Sequence, residues 1–276
     1  MFTLHIGPYI EFIIDWLKNN IEPFFKLVKI INETLITGLE DLLLIIPSIV
    51  IIIVLTLITL KLTDKKTSVF TFVGLLFIDA MELWPQTMET LALILVSAFI
   101  SLLIGVPLGI YAARHDRVTK ILRPILDFMQ TMPAFVYLIP AVLFFGMGKV
   151  PGAIATVIFS MPPAVRLTNL GIKQVPEDVI EAAKSFGSTK NQMLYKVQLP
   201  IALPTILAGV NQTIMLSLSM VVISAMIGAG GLGREVYNGI TQMDVGTGFE
   251  SGLAVVILAM VLDRITQSLG KNKKNN

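Results

Sequence analysis

Few residues in this 276-residue chain could do covalent chemistry. It has no cysteine, which removes thiol nucleophiles, disulfides and Cys-type zinc sites. Its two histidines, His5 and His115, lie far apart in sequence and argue against a His-based metal site or triad. Gly228-Ala229-Gly230-Gly231-Leu232-Gly233 matches G-x-G-x-x-G in form. A dinucleotide fingerprint must follow a strand inside a βαβ unit, whereas an apolar helical run precedes this one. The segment therefore reads as a glycine turn at the end of that run. No G-x-x-x-x-G-K-[ST] pattern occurs, so the chain has no phosphate loop with which to hydrolyse ATP. The acidic residues Asp79, Glu82, Asp127 and Asp263 stand near the ends of apolar runs, where pairing with basic neighbours is expected. Asn211, Gln212, Ser217 and Ser219 share one apolar run. Two readings stand for them: a water-filled path, or hydrogen bonds to a neighbouring helix.

The elements that would position these residues are membrane helices. Hydrophobic residues make up 54% of the chain and charged residues only 14%, against roughly 25% charged in soluble domains. Mean hydropathy is +0.79. Such a chain cannot cover its apolar surface, so lipid is the expected solvent. A net charge of +2 leaves no nucleic-acid footprint. Spans of about 20 apolar residues are expected at 42–60, 89–112, 124–147, 203–227 and 250–268. Shorter ones are expected at 69–84 and 150–167. With the N-terminus outside and seven crossings, sixteen basic residues fall in inside loops and five outside. That bias places the C-terminus and its tail, 271–276, inside.

Residues 1–41 read as an extracytoplasmic extension rather than a span. Ile14, Leu17, Ile21, Phe25 and Val28 recur at helical spacing, with Asp15, Lys18, Glu22, Lys26 and Lys29 on the other face. This suits a helix lying in the membrane interface, with Pro23 kinking or restarting it. Residues 42–84 would supply two accessory spans, and 87–270 the core.

The segment 167–202 is the longest inside loop. Pro176 suits a first helical position, Glu177 and Asp178 suit the positive end of the dipole, and Gly187 suits a left-handed stop. Thr189 and Gln192 form a capping-box pattern opening a second short helix, with Pro200 and Pro204 marking the next break. Ala182, Ala183 and Gly187 leave a smooth side that another protein's backbone could approach, with Glu181 as a polar anchor. On spacing alone, a plain connection between spans is an equal reading. Two helices around Gly187 also invite comparison with a DNA-binding helix-turn-helix, but Glu177, Asp178 and Glu181 offset Lys184, Lys190 and Lys196, and both ends are tethered.

Glu181-Ala182-Ala183, three residues, Gly187, nine residues and Val197-Gln198-Leu199-Pro200 resemble the EAA motif of bacterial ABC-importer permeases, with Val197 where the family has Ile. Gln130 to Pro140 (QTMPAFVYLIP), Phe159 to Pro163 (FSMPP) and Ile227 to Gly233 (IGAGGLG) resemble the permeases for glycine betaine and proline betaine, which also carry an N-terminal extension. The resemblance implies an all-α polytopic bundle of the type I ABC-importer fold in a bacterial cytoplasmic (inner) membrane. It implies a homodimer with two ATPase subunits and a separate extracytoplasmic binding protein. ATP and Mg would sit on the ATPase, with no cofactor on this chain. Glu181, Ala182, Ala183, Gly187, Leu199 and Pro200 would form the ATPase-docking coupling helix.

Gly105-xxx-Gly109 is expected to pack one helix closely on another within the subunit. Pro107, Pro133, Pro140, Pro162 and Pro163 interrupt apolar segments and permit kinks. Gln130, Pro133, Tyr137 and Pro140, with Ser219, are candidates for a path or hinge. Static kinks are the alternative. Choline, carnitine or an amino acid are alternative substrates, and an ion-coupled secondary transporter is the rival class.

Overall fold

The computed structural model describes residues 7–270, so His5 and the tail 271–276 lie outside it. Every regular element in the described chain is helical. The N-terminal extension forms α1 (Gly7–Asn20) and α2 (Glu22–Ile45). Pro23 sits in the first turn of α2 and restarts the helix, as its missing N–H permits there. α2 then runs past the expected boundary at 41.

The apolar run at 42–60 is not one straight span. α2 ends at Ile45, and α3 (Ser48–Leu62) leaves at 101° to it. Pro47 is extended at the corner and forces the residue before it out of helical geometry. α3 has 15 residues and would be ~22 Å long, short of the ~30 Å hydrocarbon core. α4 (Lys65–Ala80) returns beside it, opened by the Asp64 carboxylate, which accepts the Thr67 N–H at 2.7 Å. This hairpin packs on the core through Leu75 and Ile78, in one cluster with Ile257 of the last helix.

Four helices are each long and apolar enough to cross a membrane: α5 (Trp84–Arg114), α8 (Lys149–Lys173), the run Lys190–Ala225 and α14 (Val245–Gly270). α8 lies at the centre. Ser97, Ser101, Gly105 and Gly109 recur every four residues along α5 and face it. The Ser101 hydroxyl lies 3.0 Å from that of Ser160 and donates to the Val157 carbonyl at 3.2 Å. A Cβ on Gly105 would stand 2.8 Å from the Ala164 Cβ, and one on Gly109 2.7 Å from the Thr168 Cβ. The G-x-x-x-G pattern thus packs within the subunit, as expected. Pro107, Pro162 and Pro163 lie inside helices that remain continuous, so they make no break.

The expected span 124–147 is broken. α6 (Asp116–Thr131) and the segment Ala134–Phe145 meet at 107°. Pro133 occupies the corner, a 3₁₀ turn covers Ala134–Tyr137, and α7 (Leu138–Phe145) follows. The expected break at Pro200 and Pro204 is absent. Beyond α9 (Glu177–Ser185) the chain runs on through α10 (Lys190–Gln192), a π-helix at Met193–Gln198 and α11 (Leu199–Ser219). The wide π turn lets Leu199 N–H reach the Leu194 carbonyl, five residues back. This accommodates the missing Pro200 N–H without ending the helix. The break comes later, at Met220, before α12 (Val221–Ala225). α13 (Leu232–Thr241) then leads to α14.

Candidate functional site

Two regions hold the residues singled out from sequence. The first hangs from the end of α8. α8 stops at Lys173, Pro176 takes the cap position one residue before that expected, and Glu177 and Asp178 open α9. Phe186 ends it. Gly187 has φ of +75°, its N–H donates to Lys184, and the Ser188 N–H reaches back to Ala183. This is the six-to-one closure of a Schellman motif, which favours glycine at the left-handed position. Thr189 and Gln192 then cap each other reciprocally, at 2.9 Å and 3.3 Å. Two helix ends are therefore satisfied locally, without help from the bundle.

Local satisfaction leaves the surface of α9 free. None of its residues is buried. Glu181, Ala182 and Gly187 are exposed and Ala183 is half-buried. Leu199 instead packs toward Ile172, Leu194, Ala202 and Ile206, and anchors the base of the loop; Pro200 is exposed. The structure thus separates the six expected docking residues into an outward group and a base. Sequence reasoning missed two aromatics, Phe186 at 91% exposure and Tyr195 at 66%. Aromatic residues in a polar loop were the available signal, because neither has a core to enter.

The second region is where the broken helices meet. Tyr137, Leu138 and Ala141 from the α6–α7 corner pack against Ala155 of α8 and Met220 at the α11–α12 break. The Tyr137 hydroxyl donates to the Met129 carbonyl across the corner, and its ring stands edge-on to Phe159 at 6.1 Å. Of the candidate path residues, only Tyr137 is enclosed. Gln130, Pro133, Pro140 and Ser219 are exposed, and the Ser219 hydroxyl donates to Met215 in its own helix. The structure therefore brings Tyr137 to the break beside Ser219 but does not gather all five into one site.

A cleft of about 440 Å³ opens between α6 and α8, lined by Arg123, Asp127, Arg166, Asn169 and Lys173 among others. Lys173 Nζ pairs with Asp116 at 2.7 Å, Asn169 donates to the Thr119 hydroxyl at 3.2 Å, and Arg166 pairs with Asp127. Asp127 thus chooses a cation on the facing helix rather than Arg123 on its own. α6 turns this polar side toward α8 and leaves Ile121, Ile125 and Phe128 exposed. α6 therefore carries its polar face inward and its apolar face outward. Asp263 likewise takes amides rather than Arg264: Asn211 at 3.2 Å and Gln267 at 2.8 Å. Asn211 therefore bonds to a neighbouring helix, the second of its two sequence readings. Among the described residues, Asp79 and Glu82 enter no ion pair within 4.0 Å.

At the opposite end of the bundle the glycine turn appears where sequence placed it. Gly228 and Gly231 have φ of +92° and +75°. The Gly231 N–H donates to the Glu89 carboxylate at 2.8 Å and the Leu232 N–H to the Thr90 hydroxyl at 2.8 Å. A Cβ on Gly231 would lie 2.3 Å from that hydroxyl oxygen, so the turn can approach α5 only because no side chain intervenes.

Residues 105–273 match the family described as "Binding-protein-dependent transport system inner membrane component". The chain belongs to this family. The glycine betaine transport system permease protein OpuAB of Bacillus subtilis is 50% identical over 98% of this chain and 96% of its own. The glycine betaine/proline betaine transport system permease protein ProW of Escherichia coli is 50% identical over 95% of this chain and 74% of its own. The glycine betaine/carnitine transport permease protein GbuB of Listeria monocytogenes is 48% identical over 99% of this chain and 98% of its own. Among solved structures, the inward-facing methionine ABC transporter MetNI overlays with a TM-score of 0.59 at 24% identity, covering 65% of this chain and 92% of the matched one. This inner membrane component therefore has the all-α type I ABC-importer permease fold that the sequence led us to expect. The α9 loop, both helix breaks and the α6–α8 cleft all fall within the matched residues.

Proposed function

We propose that this chain is the membrane-spanning permease of an ATP-driven, binding-protein-dependent importer of glycine betaine or a related compatible solute. The observation that carries the reading is near-end-to-end identity of about one residue in two with relatives named for glycine betaine transport. The α9 loop supports the division of labour. It is a self-capped helix with no buried residue, ending in an almost fully exposed Phe186, on a chain that lacks a phosphate loop.

In this reading two copies pair in the bacterial cytoplasmic membrane, with the N-terminus outside and the C-terminus inside. Two ATPase subunits bind ATP and Mg, and each receives one α9 loop through Glu181, Ala182, Ala183 and Gly187, with Leu199 and Pro200 holding its base. An extracytoplasmic binding protein delivers cargo. ATP-driven approach of the two ATPases moves the α9 loops. Continuous helix from Lys190 carries that motion to the Met220 break, where Tyr137 and the α6–α7 corner rest. The path then opens outward, and hydrolysis resets it. Aromatic residues of the binding protein suit a quaternary ammonium, so the permease itself need offer only a polar passage such as the α6–α8 cleft.

Reconstituted permease with its ATPase and binding protein should accumulate labelled glycine betaine only when ATP is supplied inside the vesicle cycle. Uptake that persists without the ATPase, driven by an ion gradient, would overturn the reading in favour of a secondary transporter. Competition with carnitine, choline and proline ranks the substrates. The relative named for carnitine makes that compound the first competitor to test.

A further inference from the structure

The N-terminal extension also packs on the bundle. α2 has three buried residues, Asn32, Ile36 and Glu40, spaced four apart on one stripe. Ile36 packs with Val96 of α5 and Ala153 of α8. Glu40 is a carboxylate at 8% exposure, and burial of such a group is costly unless it is paired. Its partner is Lys149, which donates to both carboxylate oxygens at 2.7 Å across 109 residues of sequence. Lys149 Nζ also stands 3.7 Å from Glu89. Glu89 in turn accepts the Gly231 N–H at 2.8 Å. One cation and two carboxylates thus join α2, α5, α8 and the glycine turn before α13 at a single point.

That point lies at the end of the bundle away from α9, because Lys149 begins α8 and α8 ends at the α9 loop. The loop before α8 is also tied to the end of the broken helix: the Gly148 N–H donates to the Ile227 carbonyl at 2.8 Å. A second contact fixes α2 to the same region, with Phe25 stacked on Phe144 at 4.4 Å.

We propose that Glu40, acting through Lys149 and Glu89, is a positioning residue that holds the 228–231 glycine turn closed, so that the N-terminal extension straps the end of the transport path away from the ATPase. Charge balance explains why both ends of the chain are needed. Without Glu40, Lys149 is drawn wholly to Glu89 and competes with the Gly231 N–H for its oxygens. Without Lys149, two carboxylates face each other and the buried Glu40 loses its counter-ion. Either change loosens the turn. Loss of Ile36 removes apolar contact but leaves the charges in place.

The proposal rests on the importer reading only for what the opening is for, and its test needs neither substrate nor ATP. The chain has no cysteine, and Ala229 in the glycine turn is 1% exposed, so Ala229→Cys places a single buried thiol there. The full-length permease with its ATPase in membrane vesicles is treated with a soluble maleimide. Labelling should be slow with the strap intact. Glu40→Ala and Lys149→Ala should each speed it about fivefold or more by raising local opening. Glu40→Asp should restore slow labelling, and Ile36→Ala should leave it slow. Equal labelling in all backgrounds overturns the proposal. So does Ile36→Ala speeding labelling as much as Glu40→Ala, since α2 would then act by packing alone. If Glu40→Ala does not reach the membrane, Glu40→Gln decides the matter: fast labelling supports the strap and slow labelling overturns it.

Discussion

Single residues carry the sharpest consequences at Gly187 and Asp244. A Cβ on Gly187 would meet nothing within 4 Å in this chain, so only its φ of +75° constrains it internally. Asparagine tolerates that conformation better than other side chains. Gly187→Asn should therefore keep the loop folded and the permease in the membrane. It should still weaken co-purification of the ATPase if a partner surface lies against that position. Normal co-purification would remove Gly187 from the docking surface. Asp244 sits between α13 and α14, accepting the Thr247 hydroxyl at 2.7 Å and its N–H at 3.2 Å. The Thr247 hydroxyl, and then its N–H, hold this carboxyl below the usual range. A depressed folded value means the cap contributes above the ordinary carboxylate pKa and is lost as pH falls through the lower one. The protection of amides 245–248, taken relative to intrinsic exchange at each pH and followed from pH 6 downward, should fall only in acid. Asp244→Ala should show low protection throughout and lose that dependence.

Elements show which physical signals sequence carries. Capping chemistry is local, so the stop at Gly187, the Thr189–Gln192 box and the glycine turn at 228–231 were all legible. Each depends on a few adjacent residues. Breaks inside apolar runs were not. Pro133, Pro140, Pro162 and Pro163 look alike in sequence, yet only Pro133 stands at a corner. The difference lies in what packs nearby: α8 is held on both sides along its length, while the α6–α7 segment is free to turn. Glu40 was equally hidden, because its partner lies 109 residues away. The α5–α8 seam was half visible, through Gly105 and Gly109, although Ser97 and Ser101 continue it. Gly109→Leu would drive a side chain into Thr168 and the Val165 carbonyl, where a Cβ already lies 2.7 Å from each. It should destabilise the bundle by about 1–3 kcal/mol, as over-packing commonly does. Detergent-solubilised protein should show a lower melting midpoint. Leu103→Met, at 61% exposure on the same helix, should leave the midpoint unchanged.

The whole molecule is bounded by two exposed extremes that make its orientation testable. Phe186 and Met243 are 91% and 88% exposed. Thiols introduced singly at these positions in the cysteine-free chain should label from opposite sides of a sealed vesicle. Phe186→Cys should react from the cytoplasmic side and Met243→Cys from outside. Labelling of both from one side would reverse the proposed topology. Composition was enough to predict a polytopic helical bundle, because lipid solvation acts on the whole sequence at once, and the basic-residue bias predicts the orientation that these thiols test. They could not show that α2 meets α3 at 101°, since a corner at Pro47 leaves the apolar count unchanged.

The helical run from Lys190 to Ser219, which ends at the Met220 break, gives a rod of ~45 Å. A pushrod of that length joins the exposed loop to the buried corner with almost no slack along its axis. Its one compliant section is the π turn at 193–198, close to the α9 end. Twist can be absorbed there, whereas thrust passes on. Small tilts of α9 would be filtered out before they reach Met220, and only displacement along the rod would arrive.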